Sequence, residues 1–301
     1  MQSGLPGALP VPNEKAIRYI TLLALATGCA ITRKGMFHRK NYFYPDLPKN
    51  YQISQFDLPV GENGKLEIVI DNEKDYVEIE RVHMEEDTGK SSHEGTGRTD
   101  SVTKPVIQSS KVAVAYIEEL RQLAIDLDIS EGKLEKGNLR FDANISVAPS
   151  ESDELGTKVE IKNMNSLRSL ERAIDYEIKR QSSAIKNGES IIQETRHWDE
   201  SKETTTSMRS KEGSADYRYF SDPDLPNMVL PDEFVNQVKE SLPSLPHENR
   251  NKLVETGLDL SDSNVLSKSE KWILELYFEV FDNTKDSKAT FNWITGELQG
   301  Q

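Results

Sequence analysis

The stretches that decide the fold are "LRFDANISV" at residues 139–147 and "TKVEIKN" at residues 157–163. Apolar residues alternate with polar ones through both: Leu139, Phe141, Ala143, Ile145 and Val147 in the first, Val159 and Ile161 in the second. A period of two is typical of a strand with one buried face. Because a polar turn separates the stretches, they predict a β-hairpin with one face in the core.

The opposite face of this predicted hairpin is dense in charged and polar groups, namely Arg140, Asp142, Asn144, Glu160 and Lys162. One interpretation is a solvated sheet face with cross-strand ion pairs. The other is the floor of a site for a polar ligand. The residues alone favour neither interpretation.

Predicted helices and strands surround this hairpin, and we expect an α+β fold. Apolar residues at helical spacing predict helices at 14–27, 109–127 and 166–186. Strands are predicted at 65–70 and 76–84, with a bulge near Arg81. Short amphipathic helices follow Leu230, so we expect a main domain over residues 1–235 and the start of a small all-α segment over residues 236–301.

The overall composition is typical of a soluble globular protein. Of 301 residues, 36% are hydrophobic and 29% are charged, and no apolar run approaches the length of a membrane span. One cysteine, Cys29, excludes a disulfide framework and a cysteine-based zinc site within this sequence. The N-terminus lacks the basic start and apolar stretch of a signal peptide, so a cytoplasmic location is expected.

Charge is distributed unevenly along the chain. The net charge of −14 argues against non-specific binding to nucleic acid. Residues 31–50 carry five Lys or Arg and one acid, whereas residues 71–87 carry eight acids and two bases. Such segments are either two poles of one site or two ordinary solvated surfaces, and charge alone favours the ordinary surfaces.

The acidic stretch "HMEEDTGKSSH" at residues 83–93 resembles the end of a phosphate-binding P-loop at Gly89-Lys90-Ser91. The spacing excludes that motif, because Met84 stands where the first glycine is required. The remaining functional interpretation is a hard cation held by Glu85, Glu86 or Asp87, with Lys90 near phosphate oxygens. The structural alternative is that the two glutamates simply end a strand.

Two aromatic, basic stretches lack a clear period and are predicted as loops. They are "RKNYFYPDLPKNYQISQFDLP" at residues 39–59 and "TTTSMRSKEGSADYRYFSDPDLP" at residues 204–226. Interleaved basic and aromatic groups suit contacts to phosphates or bases. Lys40 and Lys49 could equally flank a packed aromatic loop, and Arg218 could simply pair with Asp222 or Asp224.

Seven stretches, in order from about Gly4 to about Pro226, resemble the family of B subunits of the aspartyl/glutamyl-tRNA amidotransferase. They are "GLPGALPV", "RKNYFYPDLPKNYQISQFDLP", "HMEEDTGKSSH", "LRFDANISV", "LGTKVEIKNMNS", "QETRHWDE" and "MRSKEGSADYRYFSDPDLP". A lone "HMEED" would be a weak signal, but seven blocks in sequence are a specific one.

The resemblance implies an ATP-dependent carbon–nitrogen ligase that works inside a heterotrimer. ATP and Mg²⁺ would activate the side-chain carboxylate of mischarged Asp-tRNA(Asn) or Glu-tRNA(Gln) as an acyl phosphate. Ammonia from an amidase-type glutaminase partner would then displace phosphate, and a small third protein would clamp the two large ones together. The implied fold is a cradle of antiparallel strands and helices, followed by a helical domain and a tail domain.

The resemblance also assigns roles to residues of this sequence. Glu85 and Glu86 would bind the metal, and Lys40 and Lys49 would belong to a polar loop, with Tyr42, that conducts ammonia. The expected contacts of ATP or of the tRNA end are Lys90, Arg209, Lys211 and Arg218, and the charged hairpin residues Arg140, Asp142, Glu160 and Lys162 would line the cradle.

The sequence departs from the family pattern in three places. A first strand bearing Glu and His, with a following loop of cysteine pairs, has no counterpart. Nor has the tail domain. A strand with a further metal-side carboxylate, in a run like "PLxEIVSEPD", is expected to be deleted, because "GRTDSVTKPVIQSS" passes directly to a helix.

Three hypotheses follow from the sequence. The first is a catalytic component of the amidotransferase, and the second is a degenerate, non-catalytic fragment that only binds the partner proteins. The third is a free-standing ATP-dependent carboxylate–amine ligase.

Overall fold

The computed structural model describes residues 11–41, 49–86, 98–152, 154–210 and 217–298, with the backbone alone for Arg98, Arg209 and Ser210. These residues form mainly antiparallel sheets with packed helices, so the predicted α+β fold is confirmed. Within these ranges, every helix is too short or too polar to traverse a lipid bilayer.

The strands are numbered in chain order: β1 Ala30–Ile31, β2 Lys34–Gly35, β3 His38–Asn41, β4 Tyr51–Ser54, β5 Gly61–Ile70, β6 Glu73–Glu85, β7 Arg98–Thr103, β8 Ala143–Ile145, β9 Val159–Lys162, β10 Glu194–Asp199, β11 Thr204–Ser210, β12 Phe220–Ser221 and β13 Met228–Val229. The α-helices are α1 Glu14–Ala26, α2 Ser110–Asp126, α3 Leu167–Lys186, α4 Asp232–Glu240, α5 Pro246–Glu255, α6 Leu260–Leu266, α7 Lys271–Thr284 and α8 Ser287–Trp293, followed by a π-helical turn at Ile294–Leu298.

The first sheet has the order β1-β5-β6-β7, and each neighbouring pair is antiparallel. Its central hairpin turns at Asp71 and Asn72, whose φ angles are 49° and 65°. Positive φ at both loop residues is typical of a type I′ turn, whose twist matches that of the flanking strands. The register of β6 against β7 shifts between Ile79 and Arg81, which confirms the predicted bulge.

Helices α1 and α2 pack on this sheet through the apolar faces that their spacing predicted. Asn13 caps α1 by accepting a hydrogen bond from the Lys15 N–H at 2.9 Å. Ile20 of α1, Leu123 of α2 and Ile68 of β5 are at most 1% exposed. Complete burial of each such side chain contributes about 1.5–3 kcal/mol to stability.

The second sheet has the order β11-β10-β9-β8 and contains the predicted hairpin as β8 and β9. Its apolar face is buried under α3, with Val159 and Ile161 at 0% exposure. Strands β9 and β10 are parallel, and helix α3 is the crossover connection that joins them. The ladder of β8 is shorter than the predicted 139–147, although side-chain burial alternates through Phe141 and Ile145 as expected.

One of two smaller sheets corrects the expectation that residues 39–59 form a loop without strands. Strands β3 and β4 lie within this stretch and pair with each other, and β12 adds to β3 from far along the chain. The Asn41 N–H also donates to the carbonyl of Tyr217 at 3.0 Å. A four-residue strand paired with a distant segment leaves no readable period in its own sequence. The remaining small sheet pairs β13 with β2.

Two further sequence expectations about strands were wrong. The residues after the acidic block, expected to pass directly to a helix, form β7, which pairs with β6 over Arg98–Thr103. The expected deletion of a family strand here stays a prediction. Residues 204–210, expected to be a loop, form β11, which pairs with β10. Both are outer strands of their sheets, and their Ser- and Thr-rich sequences lack the alternation of apolar and polar residues from which a strand is predicted.

Helices α5 to α8 surround their own apolar cluster, in which Leu253, Leu266, Tyr277 and Ile294 are 0% exposed, whereas α4 packs into the core of the first sheet through Val235 and Val238. Helices α5 and α7 confirm the amphipathic helices predicted here. The fully buried Arg250 of α5 ties this segment to the first sheet. The domain boundary expected near residues 231–240 stays a prediction.

Candidate functional site

Glu85, the last residue of β6, is the centre of a buried polar cluster and is 7% exposed. Its Oε1 accepts a hydrogen bond from Gln52 Nε2 at 2.9 Å. Its Oε2 accepts from Ser54 Oγ at 3.0 Å and lies 3.3 Å from Lys40 Nζ. Three donors from two neighbouring strands therefore converge on one carboxylate.

The next residue, Glu86, binds a second lysine, Lys49, which lies in the turn just before β4. Lys49 Nζ donates to Glu86 Oε1 at 2.6 Å. The backbone joins the two sheets here, since the Glu86 N–H donates to the Ile53 carbonyl at 2.8 Å and the Ile53 N–H to Glu86 Oε2 at 3.1 Å. The structure thus brings Lys40 and Lys49, predicted for the polar loop, together with Glu85 and Glu86, predicted as metal ligands.

The electrostatics keep Lys40 in its charged form. Burial is the largest single influence and lowers the pKa of Lys40. The charge and hydrogen bond of Glu85, together with Tyr219 and Tyr217, outweigh it, so the pKa is raised. Lys40 is therefore an ammonium at neutral pH, suited to hold anions and unsuited to act as a general base.

Two further side chains beside Glu85 complete a set of potential metal ligands. One ligand atom each from His83, Glu85 and Asp100 lies within 4.8 Å of the others. Burial lowers the pKa of His83, so its imidazole is neutral and can offer a lone pair. Within the described ranges His83 Nδ1 is buried without a hydrogen-bond partner. Two carboxylates suit Mg²⁺ or Mn²⁺, so this donor set fits a divalent cation.

Aromatic rings and Arg39 surround the cluster. Phe56 stacks on Tyr219 with ring centroids 4.5 Å apart, and the Arg39 guanidinium lies 4.3 Å from the Tyr51 centroid. Arg39 also binds Asp222 at 2.7 Å. It binds Asp224 at 2.9 Å, so both carboxylates that the sequence offered as partners for Arg218 contact Arg39.

The charged face of the predicted hairpin carries cross-strand ion pairs. Lys162 Nζ lies 2.7 Å from Asp142 and 3.3 Å from Glu160. Glu160 also accepts a hydrogen bond from Thr195 at 2.9 Å, and Arg140 is exposed. These residues lie on the second sheet, whereas Glu85 lies on the first. A ligand-binding role for this face stays a prediction.

Part of the predicted site lies outside the described residues. Tyr42, Asp87, Lys90 and Lys211 fall in undescribed segments, and Arg209 has a described backbone in β11 only. Their predicted roles at the metal, at phosphates or in the ammonia path stay predictions. The backbone of Arg218 is described, and its carbonyl accepts from Asn41 Nδ2 at 2.8 Å.

Sequence reasoning missed four residues of the cluster: Gln52, Ser54, His83 and Asp100. His83 had a readable signal, because a residue two positions before Glu85 on a strand points to the same face. Asp100 was overlooked because its segment was expected to pass directly to a helix. Gln52 and Ser54 gave no signal, because only the pairing of β4 against the end of β6 brings them to Glu85.

Comparison with known proteins identifies the family to which the chain belongs. A family model described as the GatB/GatE catalytic domain matches residues 1–236. Because the match covers most of the chain, this protein belongs to that family.

Curated relatives confirm the family resemblance that was inferred from the sequence. The chain is 44% identical to the B subunit of the aspartyl/glutamyl-tRNA(Asn/Gln) amidotransferase of Syntrophotalea carbinolica, over 98% of this chain and 64% of the relative. Proteins of the same name from Thermodesulfovibrio yellowstonii and Crocosphaera subtropica are 46% and 45% identical, over 98% of this chain and 65% and 64% of their own lengths. The chain thus spans a little under two thirds of these relatives.

Proposed function

We propose that this chain activates the side-chain carboxylate of Asp-tRNA(Asn) or Glu-tRNA(Gln) with ATP and amidates it with ammonia. The observation that carries the proposal is the buried cluster at the end of β6. There Glu85 and Glu86 each bind a lysine, and His83 and Asp100 lie beside them. The names of the curated relatives support the choice of substrate.

The chemistry requires activation because a carboxylate has no good leaving group. A carboxylate oxygen attacks the γ-phosphorus of ATP, which gives an acyl phosphate and ADP. Ammonia then attacks the carbonyl carbon, phosphate leaves with that oxygen, and the amide forms after loss of a proton. The phosphoryl group must be positioned and its negative charge stabilised throughout.

The residues of the chain are suited to those tasks. Lys40 supplies a permanent positive charge within 3.3 Å of Glu85, and Lys49 supplies a second beside Glu86. Both ammonium groups would attract phosphate oxygens as well as carboxylates. His83, Glu85 and Asp100 would hold the cation, with Glu86 as a further candidate. When bound, Mg²⁺ would offset negative charge on the transferring phosphoryl group.

The proposal extends to partners. Ammonia would come from the amidase-type glutaminase, and the small third protein would join the complex. Lys40 and Lys49 flank residues 42–48, the segment proposed to conduct ammonia. Lys90, Arg209, Lys211 and Arg218 remain the proposed contacts of ATP or the tRNA end.

Reconstitution tests the proposal. The chain is combined with the glutaminase and the small third protein, mischarged tRNA, ATP and glutamine, and amide formation on the tRNA is measured. We expect amide that depends on all components. A complex that assembles without forming amide would support the non-catalytic alternative. Amidation of a free small carboxylate without tRNA would support a free-standing ligase.

A further inference from the structure

We propose that Gln52 and Ser54 of β4 are positioning residues that fix the Glu85 carboxylate as a metal ligand. This inference rests on the proposed function. Both residues lie on β4, which is outside the acidic motif at residues 83–93.

The period of a strand places these two side chains on the same face of β4. Gln52 is 6% exposed and Ser54 is 2% exposed, whereas Tyr51 and Ile53 are half-buried on the opposite face. A buried amide and a buried hydroxyl need partners, and both find them on Glu85, at 2.9 and 3.0 Å. Both buried side chains on this face of β4 therefore donate hydrogen bonds to the Glu85 carboxylate.

The two hydrogen bonds reach different oxygens of the Glu85 carboxylate. Gln52 donates to Oε1, and Ser54 donates to Oε2, which Lys40 also contacts. Because each oxygen has its own neutral donor, the carboxylate plane cannot rotate without breaking a hydrogen bond. A carboxylate offers about four lone-pair positions, and the donors in the described residues use three, so a cation can still bind.

Neutral donors suit this task better than charged ones. The Gln52 amide and the Ser54 hydroxyl orient Glu85 without neutralising its charge, so it remains an anionic ligand beside His83 and Asp100. Gln52 Nε2 also donates to the Glu86 carbonyl, which links the two consecutive glutamates. Removing a side chain that hydrogen-bonds to a metal-ligating residue typically weakens metal affinity by about 10- to 100-fold.

The test measures Mn²⁺ binding to the purified chain by electron paramagnetic resonance, which needs neither tRNA nor partner proteins. The variants are Ser54→Ala and Gln52→Met, which remove the donors, and Ser54→Thr, which keeps the hydroxyl. Ser221→Ala is the matched control, because it deletes an exposed hydroxyl on β12 of the same small sheet. Thermal unfolding shows that each variant is folded.

We expect the dissociation constant for Mn²⁺ to rise by about 10- to 100-fold in Ser54→Ala and Gln52→Met, and to stay near the unaltered value in Ser54→Thr and Ser221→Ala. If only one donor-deleting variant folds, that variant decides by the same criterion. Unchanged affinity in a folded donor-deleting variant would overturn this inference and leave the proposed function standing. Failure of the unaltered chain to bind Mn²⁺ would overturn the metal site itself.

Discussion

At the residue scale, the site pairs two lysines with two glutamates, Lys40 with Glu85 and Lys49 with Glu86. The half-buried Lys40 lies 3.3 Å from Glu85, and the buried Glu85 carboxylate accepts from three donors. Removing one member of such a pair leaves the other buried without compensation. The cluster therefore depends on its members jointly.

A first prediction concerns Glu86→Gln. The neutral amide loses the charge that pairs with Lys49, and we expect tRNA-dependent ATP cleavage in the reconstituted complex to fall by about 100-fold or more. Assembly of the complex should survive, because the Glu86 side chain is one-third exposed. ATP cleavage and gel filtration measure the two properties.

The matched control is Glu78→Gln, which makes the same change at a half-exposed position of β6 paired with Lys104. It should leave ATP cleavage unchanged. Equal activity of the Glu86 variant and this control would contradict the role of Glu86.

A second prediction concerns Asp126, at the end of α2. Burial raises the pKa of Asp126 to about 6, the hydrogen bond from Gln122 opposes the shift, and Glu119 adds to it. Because the folded pKa lies above the unfolded value, the ionised form destabilises the fold, and this cost grows as pH rises through the interval from about 4 to about 6.

Asp126→Asn should therefore raise the free energy of unfolding by about 1 kcal/mol at about pH 7.5, after allowance for solvent screening, and by almost nothing at about pH 4. Urea unfolding at the two pH values measures the difference. An equal effect at both values would show that ionisation of Asp126 is not the cause.

At the element scale, the site forms where β4 of a small sheet crosses the end of β6. The helices and the β5–β6 hairpin could be predicted because each carries its own pattern, as the stripe through Tyr116 and Leu120 shows. Strands β4, β7 and β11 could not, because their pairing partners decide them. The same limit explains why Glu85 was predicted and Gln52 was not.

Helix α5 gives a third prediction. Arg250 is fully buried and lies 3.1 Å from Glu67 of β5 and 3.3 Å from Glu119 of α2. Arg250→Met would leave Glu67 with only Lys74 at 3.3 Å and Glu119 with only Lys268 at 3.5 Å among the cations of the described residues. Because the two carboxylates lose the buried cation they share, we expect the free energy of unfolding to fall by about 3 kcal/mol.

The control is Lys271→Met on α7, where the lysine is 90% exposed and pairs with Glu275 at 3.7 Å. Its effect should stay below about 0.5 kcal/mol. Urea unfolding compares the two variants, and similar values would show that Arg250 does not hold α5 to the sheet.

At the scale of the whole molecule, the lysine–glutamate cluster lies on the first sheet and the ion-paired face lies on the second. The family match covers the residues that build both sheets. The net charge of −14 argues against non-specific electrostatic attraction of nucleic acid to this chain. The central claim is that this fold activates a carboxylate attached to tRNA.

Isotope transfer tests that claim most directly. Mischarged tRNA labelled with ¹⁸O in the side-chain carboxylate is supplied to the reconstituted complex with ATP and glutamine, and the released phosphate is analysed by mass spectrometry. Activation through an acyl phosphate predicts one ¹⁸O atom in each phosphate formed together with an amide. Amide formation with unlabelled phosphate would contradict the account.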